Sequence, residues 1–197
     1  MKQLTHIILF FALVTTGCST YQKTLKKGSF EDKYDMAMSY YEKEDYYKSS
    51  MLFESISAMV LGRPEMENVK FYFAYCNYFD KSYLMSQFYF REFAETFPRS
   101  DKTEEALFRA AESSYKMSPR YSLDQGNSVQ ALKGLEDFLL RYPFSTFKEE
   151  AESIIRELET KLEYKAYLNA KQYYKIREYR AAVVAFTNFI MSYPSTK

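Results

Sequence analysis

The chain is poor in the residues that do chemistry. Histidine occurs once in 197 residues, at His6, tryptophan is absent, and cysteine occurs twice, at Cys18 and Cys76. With no histidine beyond His6, Ser-His and Cys-His nucleophilic systems and histidine metal sites are excluded from the body of the protein. Five glycines cannot build a glycine-rich loop that cradles a phosphate. The charges, 27 Lys and Arg against 26 Asp and Glu, are mixed along the chain and leave a net +1. That balance excludes the dense basic face that nucleic acid requires. Runs of β-branched residues at period two are also missing, which argues against a sheet. The acidic pairs Glu104-Glu105 and Glu149-Glu150 stand at expected helix starts, where they suit the helix dipole better than acid-base catalysis. The sequence therefore reads as a non-enzyme without a metal.

What is abundant is ring: 20 Tyr and 17 Phe. Some of these rings follow a template. In the last stretch, Ala170 and Tyr173 are followed by Ala182, Phe186, Phe189 and Pro194. A small residue on one helix admits an aromatic from its partner, and the proline ends the second helix. The same order recurs at Ala74, Ser86, Phe90, Phe93 and Pro98, and at Ala37, Tyr40, Ser49, Phe53 and Ile56, where Leu61 replaces the proline. A further unit pairs a helix from Glu104 to about Met117 with a helix carrying Ala131, Leu135, Phe138 and Pro143. This is the tetratricopeptide (TPR) pattern of antiparallel helix pairs. The fold predicted is an all-α, TPR-like α-solenoid of about four helix-pair repeats over residues 30–197. Glu149 to about Tyr174 reads as one long helix or two abutting ones. The longest irregular piece, Ser118 to Asn127, is an insertion of the length that often carries function.

Residues 1–17 read as a signal peptide: Lys2 gives a positive start and Ile7 to Val14 an apolar run too short to span a bilayer. The sequence Val14-Thr15-Thr16-Gly17-Cys18 is similar to a bacterial lipoprotein signal, with Thr15 where leucine is usual. Cys18 is then the lipidation site, carrying N-acyl and S-diacylglycerol groups and becoming the mature N-terminus. The alternatives are an ordinary export signal cut near Cys18 or a buried N-terminal helix. Residues 18–29, polar and basic with Lys23, Lys26 and Lys27, read as a flexible lipid-anchored tether reaching about 30 Å if extended. Cys76 falls among apolar helix positions and reads as a small buried hydrophobe.

In TPR repeats the first helix of each pair lines the inner wall. Aligned on Ala37, Ala74 and Ala111, the wall positions hold Tyr34, Met38 and Tyr41, then Phe71, Tyr75 and Tyr78, then Phe108 and Tyr115. Two readings stand side by side for these eight. They are either ordinary core between repeats or a groove for an extended peptide rich in apolar and aromatic side chains, a use that suits the flat, stiff, amphipathic tyrosine.

The lipoprotein-like start, the Ser118-Pro119 to Asp124-Gln125 loop, Tyr142-Pro143-Phe144-Ser145 and the segment from Lys161 through Ala170 to Tyr193-Pro194 together resemble the BamD family. These are TPR lipoproteins of the bacterial outer-membrane β-barrel assembly (Bam) machinery. The aromatic-rich first half, with Leu61-Gly62 where a proline motif might stand, resembles the Bacteroidetes version. The resemblance implies a lipid-anchored protein on the periplasmic face of the outer membrane. It implies binding to the POTRA domains of BamA, contact with other Bam components, and capture of the C-terminal peptides of unfolded outer-membrane proteins. Members of the family usually carry a fifth repeat, whereas this sequence stops after Pro194. A structural or pilot TPR lipoprotein of another cell-envelope system is the competing reading.

Overall fold

The computed structural model describes residues 20–194. The expected signal peptide and Cys18 lie outside them. All regular elements among the described residues are helices. Helix α1 covers residues 20–27. It is followed by α2 (Phe30–Glu42), α3 (Tyr46–Ser57), a 3-10 turn (Ala58–Val60), α4 (Met66–Phe79) and α5 (Tyr83–Thr96). Then come α6 (Thr103–Lys116), α7 (Gly126–Arg141), α8 (Lys148–Lys175) and α9 (Tyr179–Ser192). The fold is all-α and TPR-like, and the stretch from Glu149 to Tyr174 lies within one unbroken helix.

The chain divides into two compact units, the first ending at Tyr89 and the second beginning at Phe90. In the first, α2 packs on α3 and α3 on α4. Its core holds Ala37, Leu52, Phe53, Ile56, Val60, Val69 and Cys76. In the second, α6 packs on α7, α7 on α8 and α8 on α9, around Phe108, Ala131, Leu135, Phe138, Ala151, Ile154 and Leu158. The small template positions Ala37, Ser49, Ala74, Ser86, Ala131, Ala170 and Ala182 are all buried, as are Phe53, Phe90, Phe93 and Phe138. Ser49 shows how a small polar residue serves there. Its hydroxyl donates to the Ala37 carbonyl at 2.9 Å, so α3 approaches the α2 backbone with no polar group unpaired. Tyr173 departs from the template, being 44 % exposed.

The turns repeat as faithfully as the helices. After α2, α4 and α8 the chain passes through a left-handed residue that is not glycine: Glu44 (φ 60°), Lys81 (φ 62°) and Arg177 (φ 65°). Each sits in the same pair of backbone bonds. Asp45 N–H donates to the Tyr40 carbonyl, Ser82 to Asn77 and Glu178 to Tyr173, while Glu44, Lys81 and Arg177 donate to Tyr41, Tyr78 and Tyr174. This is the Schellman closure of a helix C-terminus. Pro98 and Pro143 end the second helices as expected. Serine follows each by two, with Ser100 Oγ accepting from Lys102 N–H and Ser145 Oγ from Phe147 N–H, both at 3.1 Å.

One expectation is corrected. The stretch read as a flexible tether is helical over residues 20–27, and its Tyr21 is only 6 % exposed within the first core. The lysines dominate its composition, but Tyr21 and Leu25, four apart on one helical face, both pack on that core. Ser29 then starts α2 with a capping box, its hydroxyl accepting from Asp32 N–H while the Asp32 carboxylate accepts from Ser29 N–H.

Candidate functional site

The aromatic residues of the first unit join edge to face and face to face. Tyr46 stacks on Phe79 with ring centroids 4.8 Å apart, and Tyr75 stacks on Phe79 at 5.5 Å. Tyr41 meets Tyr46 at 5.6 Å and Tyr72 at 5.2 Å, both edge-on. Tyr78 stands edge-on to Tyr75 at 6.3 Å and to Tyr83 at 5.8 Å. The cluster forms where it does because α2 and α4 end in identical Schellman turns, which carry Tyr41 and Tyr78 to equivalent places one repeat apart. The same turns bring in Tyr46 and Tyr83 from the starts of the following helices.

Burial sorts the eight sequence-predicted residues. Tyr34 and Met38 are half-buried and pack on the first core, with Tyr34 edge-on to Phe53 at 6.0 Å. Phe71 and Tyr75 are buried. Tyr41 and Tyr78 are half-buried, like Tyr34, and belong to the ring cluster, Tyr41 also packing on the first core. Phe108 is fully buried, stacked on Phe147 at 4.7 Å and against Phe138 at 5.5 Å, which is the core reading of the two. The approach to α8 supplies Phe147 as a lid that the repeat template does not contain. Tyr115 is half-exposed and held by α8, donating its hydroxyl to Glu157 at 2.6 Å. That bond, then burial, pushes its pKa up to about 12.

Sequence reasoning missed Phe79, which is 41 % exposed and is the ring on which Tyr46 and Tyr75 both stack. It lies four residues after Tyr75 on the last turn of α4, at the position that alignment of Ala74 with Ala37 gives to Glu42 in the first repeat, so the repeat template passes over it. Burial raises the pKa values of Tyr34 and Tyr46, so both remain neutral phenols that can donate at neutral pH. The cluster presents flat apolar faces edged with hydroxyls. Such a surface takes aromatic and aliphatic side chains. Among the described residues no three His, Cys, Asp or Glu side chains are grouped to hold a metal. No helix there is long and apolar enough to cross a membrane.

In the second unit the Ser118–Asn127 loop is fastened to α8. Lys161 donates to Ser118 Oγ at 2.8 Å, Lys165 donates to the Leu123 carbonyl, and Tyr121 stands edge-on to Tyr164 at 4.8 Å. Inside the loop, the Gln125 side chain donates to the carbonyls of Arg120 and Leu123 and accepts from Ser128. The loop and the Lys161–Ala170 segment, separate in sequence, thus make one surface. Along α9, Val183, Val184, Ile190 and Met191 lie exposed.

The family model described as "YfiO: Outer membrane lipoprotein" matches residues 26–197. A curated protein of Aquifex aeolicus (strain VF5), a putative outer membrane protein assembly factor BamD, is 26% identical over 194 residues. The match covers 98% of this chain and 63% of that protein, so the chain spans less than two thirds of its relative's length.

Proposed function

The chain belongs to the YfiO family of outer membrane lipoproteins, and from that premise we propose that it is a non-enzymatic component of the Bam complex. In this reading Cys18 carries the lipid, and the protein works at the periplasmic face of the outer membrane. It binds the POTRA domains of BamA together with other Bam components, and it assists folding and insertion of outer-membrane proteins by holding their C-terminal peptides. The observation that carries the reading is the family match over residues 26–197, and the name of the Aquifex relative agrees with it. The ring-rich first half and Leu61-Gly62 favour the Bacteroidetes version of the family.

Client binding is supported by the ring cluster of the first unit. Of the eight predicted groove residues, Tyr41 and Tyr78 are partly exposed in this cluster, and the more exposed Phe79 joins them. A strand ending in an aromatic residue can lay that ring on Phe79 while its backbone accepts from the phenols. The apolar face of α9 offers Val183, Val184, Ile190 and Met191 to BamA. The experiment is purification of the lipidated protein from its own membranes, followed by mass spectrometry of what accompanies it. BamA in near-equal amount supports the proposal. Recovery of a different outer-membrane system without BamA contradicts it and leaves the fold and the family membership.

A further inference from the structure

We infer that α1 is a rigid stand that holds the first repeat directly against an anionic bilayer surface, with its lysine face on the lipid headgroups. The inference rests on the proposed lipidation of Cys18 and goes beyond it, because an anchored protein can equally hang from a loose tether.

Two independent observations carry it. The first is that α1 is part of the repeat. Tyr21 is buried, donates its hydroxyl to the Lys48 carbonyl at 3.3 Å and stands edge-on to Tyr40 at 5.4 Å. The helix closes with Gly28 N–H donating to the Thr24 carbonyl at 2.7 Å. A Cβ on Gly28 would lie 2.6 Å from that oxygen, so this tight end admits only glycine. The capping box of Ser29 begins α2 at the next residue. No slack remains between α1 and the repeat. Cys18 precedes Tyr21 by three residues, a span of at most about 10 Å even if fully extended. A lipid on Cys18 therefore brings the first repeat to the membrane surface.

The second observation is the face turned away from the core. Gln22, Lys23, Lys26 and Lys27 are all exposed, and their spacing puts them on one side of the helix. Among the described residues, no ion pair engages Lys23, Lys26 or Lys27. A lysine near an anionic surface strengthens binding about fivefold, so three give about a hundredfold. An acidic protein face is the competing occupant. Continuity with the anchor favours the bilayer, since the lysines begin five residues after Cys18.

The test has two arms. In the first, the mature chain carrying Cys18→Ser, and so without lipid, is mixed with phosphatidylethanolamine–phosphatidylglycerol vesicles or with neutral phosphatidylcholine vesicles. Binding to the anionic vesicles alone is expected, falling about a hundredfold when Lys23, Lys26 and Lys27 are all changed to Gln. Equal binding by the triple variant overturns the inference, as does capture of an acidic protein through these lysines without any vesicle binding. In the second arm, the lipidated chain carries Tyr47→Trp, a lone reporter because the sequence has no tryptophan. Energy transfer to dansyl-labelled headgroups should be strong, be kept by Tyr21→Phe, and fall at least twofold with Tyr21→Ala while helicity holds. Unchanged transfer with Tyr21→Ala overturns the rigid stand. Mass spectrometry of Cys18 reports the lipid separately, so loss of the anchor and loss of the stand give different results.

Discussion

Ala111 and Gly134 set the distance between α6 and α7: a Cβ placed on Gly134 would lie 3.1 Å from the Ala111 Cβ. That is tighter than an ordinary contact, and glycine in a helix is otherwise unfavourable. Gly134→Val should therefore destabilise the protein by about 2 kcal/mol through overpacking. Gly134→Ala, which regains helix propensity while pressing on Ala111, should stay within about 1 kcal/mol of the parent. Urea unfolding followed by helicity measures both. A valine variant as stable as the parent would show that the helices separate freely.

Lys81 occupies a left-handed conformation at φ 62° in the turn between α4 and α5. Side chains there cost about 1–2 kcal/mol relative to the right-handed region, offset in part by the larger entropy glycine loses on folding. Lys81→Gly should stabilise the protein by about 0.5–1 kcal/mol. A lower thermal midpoint would mean that the lysine side chain makes a stabilising contact that outweighs its backbone strain.

Tyr115 donates its hydroxyl to Glu157, a bond that holds the proton on the phenol, and its folded pKa is pushed up to about 12 from the ordinary 10.0. The folded value is the higher one, so the stabilisation is fully present below pH 10 and is lost as pH rises from 10 towards 12. Tyr115→Phe should flatten that part of the stability profile and leave the profile at pH 6 to 9 parallel to the parent's. A profile that stays as steep above pH 10 would assign the alkaline loss to other groups.

Cys76 is buried and donates to Ser49 Oγ at 3.3 Å. Burial pushes the thiol up to about 12, with the Ser49 bond opposing, so almost no thiolate exists at neutral pH. In the Cys18→Ser background a thiol reagent should label Cys76 only on unfolding, and the labelling rate should track urea concentration. Rapid labelling of the native protein would place Cys76 in a mobile or open site.

Burial separates residues that the sequence treated alike. Phe108→Ala should cost about 3–5 kcal/mol, the loss typical of a fully buried ring, while Tyr78→Ala should cost distinctly less because its ring is half-exposed. Equal costs would return Tyr78 to the core.

The small-and-aromatic template located the helix pairs because burial at Ala37, Ser49, Ala74, Ser86, Ala131, Ala170 and Ala182 has a direct steric cause that composition records. Other features left weaker traces. The three Schellman turns use Glu44, Lys81 and Arg177 in place of glycine, so the usual punctuation is missing. Alignment on Ala111 made Phe108 a wall residue, since nothing in a repeat pattern says that Phe147 will close over it. Lysines masked the two-residue apolar face of Tyr21 and Leu25, and a docked helix read as a tether. Phe79 escaped notice because its place in α4 corresponds to Glu42 in the first repeat, and its stacking with Tyr46 joins two helices.

The central claim is that the ring cluster of the first unit receives client peptides. Its most direct measurement is the affinity of a labelled β-strand peptide with a C-terminal aromatic residue, for the parent chain and for Tyr78→Ala combined with Phe79→Ala. Truncating aromatic anchors at a binding surface typically costs 1–2 kcal/mol or more. Binding is therefore expected to weaken at least about tenfold, with helicity unchanged. Equal affinity in a folded double variant would contradict it and leave the rings as packing alone.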